Sequence, residues 1–162
     1  MEHQPTPAVH AYYQRFLASL APDSDYRRYR WIAEAWGEGA MAEELGHLIA
    51  SGKKTASCTT WWEYAAEGCQ VPALDLLTVV LDASGEPLCV IETYQIEVKA
   101  FNQVDAAFAA AEGEGDLSYD YWRDAHWRYF THTLKAIGKE PAEDMCLVCE
   151  RYRVLYKEEE QD

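Results

Sequence analysis

Basic residues are scarce in this 162-residue chain: 14 Lys and Arg stand against 28 Asp and Glu, a formal net charge of -14 at pH 7. A field of that sign disfavours passive binding of a long polyanion, and no DNA partner is expected. A local basic pocket can still hold one nucleotide, because partly desolvated charges are screened less than surface ones. Apolar runs are also short. None approaches the roughly 18 residues of a membrane span, and the opening "MEHQPTPAVH" lacks the charged-then-apolar order of a signal peptide, so the expectation is a cytoplasmic protein with no membrane partner. Cysteine is sparse and odd in number. Cys58, Cys69, Cys89, Cys146 and Cys149 read as reduced thiols rather than a disulfide framework. Glycine-rich phosphate motifs, internal repeats and low-complexity blocks are missing as well, which leaves no linker to divide the chain.

What is present is core-forming material. Apolar residues make up 49% and aromatics 13%, with 6 Trp and 11 Tyr, enough for a packed core in a chain of one-domain length. "PAVHAYYQRFLASL" places Val9, Tyr12, Tyr13, Phe16, Leu17 and Leu20 at helical spacing. "DYRRYRWIAEAW" reads as a second short helix and "GAMAEELGHLIASGKK" as a third, closed near Gly52, so that three helices precede the first strand. "TASCTTWWEY", "LLTVVLD" and "LCVIETYQIEVKAF" are β-branched and aromatic and read as strands. "QVDAAFAAAEGEG" is a short helix entering an acidic loop. "LSYDYWRDAHWRYFTHTLKAIG" is a longer helix, and "MCLVCERYRVLY" a final strand. The order predicts an α+β fold with a largely antiparallel or mixed sheet curled into a small β-barrel flanked by helices.

Lys53 and Lys54 lie where a helix gives way to a strand in "SGKKTASCTTWW". Cations at a helix C-terminus are favoured by the macrodipole, which accounts for them without any function. The alternative is that Lys54, three residues before Ser57, activates that hydroxyl as a nucleophile, which requires a bent entry to the strand. The second constellation is the loop after the small helix. Glu112, Glu114 and Asp116 alternate with Gly113 and Gly115, and Glu114 either caps solvated chain or points into a pocket, pairing with a lysine and shuttling protons. In "YWRDAHWRYF", Trp122, His126 and Phe130 share a helix face. The aromatics there read as core, while Arg123 and His126 are free to contact a phosphate or base edge or to bond the neighbouring loop. Cys146 and Cys149 lie three apart in a strand, where side chains diverge, and no partner pair has zinc spacing; no metal and no cofactor is expected.

The segments "SGKKTAS", "LLTVVLD", "PLCVIETYQIEVKAFNQVD", "AAAEGEGDLSYDYWRDAHWRYF" and "MCLVCERYRVLY", in this order, resemble the ASCH domain family over roughly residues 38 to 156. The expected organisation is residues 1–37 as a helical extension packed on the domain, 38–156 as the domain and 157–162 as an acidic tail. The resemblance implies a PUA-like barrel with a cleft that handles RNA or modified nucleosides. Some members are amidohydrolases of N4-acylcytidine and others ribonucleases. The hydrolase pattern falls on Lys54, Ser57 and Glu114 as catalytic residues, Ser57 standing where threonine is common, and "VPALDLL" lacks a glycine often found there. Lys53, Glu112, Arg123 and His126 are the candidate substrate contacts. The expected ligand is a modified pyrimidine nucleoside or a short single-stranded RNA, bound by a monomer or homodimer. A base-binding module without catalysis is the remaining reading.

Overall fold

Thr6 begins the first helix by accepting the Val9 amide on its side chain at 3.2 Å, with Pro7 in the first turn, where its missing N–H costs nothing. The structure is a computed structural model that describes residues 2–68 and 73–159. Cys69, the first two residues of "VPALDLL" and the last three of the tail lie outside the described residues. The chain forms two units: residues 1–53, 73–94 and 152–162 make the first, and residues 54–72 and 95–151 the second.

In the first unit, α1 (Pro7–Ser19) buries Val9, Tyr12, Tyr13 and Phe16 against Ala33, Leu77, Val79, Leu81 and Val90. The N-terminal helix is thus part of a core. Strand β1 (Glu2–His3) pairs antiparallel with β2 (Arg30–Glu34), which runs parallel to β4 (Leu76–Leu81); β4 turns into the antiparallel β5 (Pro87–Ala100). The Asp82 carboxylate fixes that turn by accepting the amides of Ser84 and Glu86 at 2.8 and 3.0 Å. Leu77, Val79 and Leu81 face the α1 core. Val80 joins Cys89, Ile91 and Tyr152 around Ile49 of α2 (Gly39–Ala50), so β4 is covered on both faces and reads as a continuous apolar run. The chain leaves α2 at Gly52, with φ of 79°, and the Lys53 amide returns to the Leu48 carbonyl at 3.1 Å.

In the second unit, β3 (Ala56–Thr60) pairs antiparallel with β6 (Cys146–Tyr156), Ala56 opposite Arg151 and Thr60 opposite Leu147. Helix α3 (Trp61–Glu67) follows at once, then α4 (Ala106–Ala111) and α5 (Tyr119–Leu134). Phe101, Phe108, Trp122, Phe130, Leu134, Met145 and Leu147 fill the core between them.

The strands form one mixed sheet in the order β1-β2-β4-β5-β6-β3. The α+β class is as expected, and three details differ. The order has two ends, β1 and β3, so the curled barrel is replaced by a sheet that is not closed, flanked by helices. "DYRRYRWIAEAW" is a 3-10 turn (Asp25–Arg28) followed by β2, so two strands precede the third expected helix. "TTWWEY" leaves the strand at Thr60, because Thr60 and Glu63 form a reciprocal capping box that starts α3.

Candidate functional site

The start of β3 is tied to the end of α4: the Thr55 amide donates to the Ala111 carbonyl at 2.7 Å, and its hydroxyl reaches the same oxygen at 3.3 Å. That clamp brings Lys54 against residue 112. The Lys54 Nζ donates to the Glu112 carbonyl at 3.2 Å, to Glu112 Oε1 at 3.4 Å and to Glu114 Oε2 at 3.1 Å. Lys54 and Glu112 are 3% and 2% exposed, whereas the Glu114 side chain keeps 30% of its surface. The pairing of Lys54 with Glu114 raised by the sequence is present, and Glu114 is the carboxylate that solvent can reach.

The loop earns this geometry from its glycines. Gly113 and Gly115 have φ of 71° and 60°, in the left-handed region, and Leu117 has φ of 67°. Gly115 also presses on a ring: a Cβ there would collide with Tyr121 Cε1.

Glu112 is the hub of the cluster. Its Oε2 accepts the indole N–H of Trp122, lies 2.9 Å from His126 Nε2 and accepts the thiol of Cys58 at 3.7 Å. Burial alone would raise its carboxyl. The Lys54 charge first, then His126 and the Trp122 hydrogen bond, more than reverse this and hold it at about 2. His126 is raised above its ordinary value: burial opposes its charge, but Glu112 and the Trp122 carbonyl outweigh burial. Burial and then the Glu112 charge push the Cys58 thiol well up, so it is no ready nucleophile. The His126 ring stacks on Trp122 at 4.6 Å, and Trp122 on Phe101 at 5.3 Å.

The other candidates sit elsewhere. Lys53 is exposed at the α2 exit. Arg123 forms a bidentate pair with Glu143 and lies over Phe101 at 5.3 Å, so its charge is matched within the chain. Ser57 stands opposite Glu150 in the β3–β6 ladder, and strand alternation sets it on the other face from Cys58, the residue that meets Glu112. Two residues of the site escaped the sequence reading. Trp122 reads as core from its spacing, but its indole N–H needs a buried acceptor, and Cys58 is aligned by β3 with Ala56. Cys58, Glu112 and His126 place ligand atoms within 4.8 Å of one another. As a metal site the set fits poorly: the Glu112 oxygens already accept from Lys54, Trp122 and His126, and a cation there would meet the Lys54 charge.

The site is thus a buried Lys–Glu pair at one edge of a sheet flanked by helices. The ASCH domain family matches residues 32–156, and the chain belongs to that family, whose PUA-like fold is associated with RNA binding. The crystal structure of an ASCH domain from Lactobacillus crispatus JV V101 is similar at 33% identity, with 91% of this chain and 93% of that chain covered and a TM-score of 0.84. A crystal structure of a protein from Enterococcus faecalis V583 is similar at 33% identity, covering 91% of this chain and 88% of that one, with a TM-score of 0.73. No curated protein matches the chain. Among the described residues, no helix is long and apolar enough to cross a membrane.

Proposed function

We propose that the chain hydrolyses the exocyclic amide of an N4-acylated cytidine without a metal ion. The observation that carries this reading is the Lys54 amine, nearly fully buried, with Glu114 at 3.1 Å and still open to solvent. At least three acceptors lie within reach of Nζ, more than the two N–H groups of an amine could serve, which supports an ammonium. In this state Glu114 is the base and Lys54 the acid. Glu114 takes a proton from a water molecule as the water oxygen attacks the acyl carbon, and the Lys54 N–H released from the neutralised Glu114 turns to the developing oxyanion. The C–N4 bond then breaks, N4 receives a proton from Lys54, and Glu114 returns its proton to Lys54. Cytidine and a carboxylic acid leave.

Two roles differ from those implied by the family pattern, in which the lysine deprotonates Ser57. The alternation of β3 and the three acceptors on Nζ both favour water as nucleophile. An acidic surface is no obstacle to an uncharged nucleoside, whereas it opposes the scissile phosphates of a ribonuclease substrate. Chromatographic assay of N4-acetylcytidine with the native protein, Lys54→Met and Ser57→Ala tests the reading. Cytidine release lost in Lys54→Met and kept in Ser57→Ala is expected. Loss in both variants restores Ser57 as nucleophile, and no release by the native protein refutes the activity. A single-stranded RNA run in parallel separates the ribonuclease, whose rate falls steeply with salt.

A further inference from the structure

The same donor count, applied to His126, gives a result that rests on this reading of the site and extends it. Nδ1 lies 2.8 Å from the Trp122 carbonyl oxygen, and Nε2 lies 2.9 Å from Glu112 Oε2. Both partners are acceptors. A neutral imidazole has one N–H and would turn a lone pair toward one of them, so the geometry calls for a proton on each nitrogen. The side chain is 13% exposed, its ring stacked on Trp122 at 4.6 Å and packed against Phe130 at 5.9 Å.

We infer that His126 is a positioning residue, held as an imidazolium that carries the countercharge of Glu112, and not a contact to the substrate. The groups that face it are Glu112 and Glu114 at the end of α4 and in the following loop, Cys58 on β3, and the Trp122 carbonyl one turn back on α5. Lys54 completes the set from the far side of Glu112. With Glu114, which is partly open to solvent, two cations then face two carboxylates. The arrangement also divides Glu112. Its Oε2 is occupied by His126, Trp122 and Cys58, so Oε1 and the main-chain carbonyl are left to seat two of the Lys54 N–H groups. Lys54 also reaches Glu114, the solvent-facing carboxylate, at 3.1 Å. His126 sets the reactive lysine without touching what it reacts with.

Two measurements test this. Long-range proton–nitrogen NMR of the native protein at pH 7 should show both His126 nitrogens protonated, with two slowly exchanging N–H protons; a single N–H at that pH overturns the inference whatever the protein catalyses. His126→Gln keeps a donor toward Glu112 and removes the charge. With N4-acetylcytidine its kcat should fall by about tenfold or more while KM stays within about twofold. A raised KM with kcat preserved would make His126 a substrate contact and overturn the positioning role. If the native protein releases no cytidine while the NMR shows the imidazolium, the proposed activity has failed and the charge assignment stands.

Discussion

Replacing Glu112 with Gln removes one charge from the centre of the cluster and changes almost no volume. In the native protein four donors converge on its two oxygens, from Lys54, Trp122, His126 and Cys58. The amide can satisfy the Oε2 side with its oxygen, but its NH2 then faces the Lys54 ammonium, and two buried cations are left with Glu114 as their counterion. Removing one member of a buried ion pair costs about 3–5 kcal/mol. At roughly 2–4 °C per kcal/mol for a chain of this size, the melting temperature should fall by about 6–20 °C. Glu114→Gln is the control. It deletes a single ion pair whose carboxylate is 30% exposed, and after solvent screening its cost should be on the order of 1 kcal/mol. Thermal unfolding followed by circular dichroism at pH 7 measures both. Equal shifts in the two variants, or a Glu112→Gln protein as stable as the native one, would refute the view of Glu112 as a buried hub.

The same cluster fixes the pH dependence of stability. The Glu112 carboxyl is depressed to about 2, so its contribution is present above its unfolded value of 4.5 and is lost as pH falls from there toward 2; Glu112→Gln should lack this loss in acid titrations of the melting temperature. His126 has the opposite sign. Its raised value makes its contribution complete below its unfolded value of 6.5 and lost as pH rises through the folded one, so native stability should decline on the alkaline side and His126→Gln should decline less. Trp122→Phe keeps most of the ring but leaves Glu112 without the indole donor, which should cost about 1–3 kcal/mol in chemical denaturation. Gly115→Ala puts a methyl into the Tyr121 ring at positive φ; turnover should drop, and adding Tyr121→Ala should recover part of it. A Gly115→Ala enzyme of native activity would show that the loop geometry does not set Glu114.

Much of this architecture was legible, and the failures have physical causes. Helix α1 was clear because a proline start and an apolar stripe coincide, and β4 because six apolar or β-branched residues must be covered on both faces. The segment at β2 misled because five residues of "RWIAE" carry no decisive period; its strand state comes from parallel pairing with β4, some 45 residues on, as Arg30 opposite Leu76 shows. The helix after β3 was signalled by Thr60 and Glu63, a capping box three residues apart, and the run of aromatics obscured it. At the site, Lys54 stands out as one of two adjacent lysines at a helix exit of an acidic chain and Glu114 as a carboxylate between two glycines, and the family resemblance marks both. The central role of Glu112 was not legible: two residues before Glu114 in the sequence, it differs in burial, which α5 supplies through Trp122 and His126.

Lys54 and Glu114 are proposed as the proton-transfer pair of an amide hydrolase, and Glu114→Gln tests that role most sharply, because this variant should fold with near-native stability. Cytidine release from N4-acetylcytidine by the native protein, reduced by about a hundredfold or more in Glu114→Gln, is the predicted result. Release that is undiminished in Glu114→Gln, or absent from the native protein, would contradict the account.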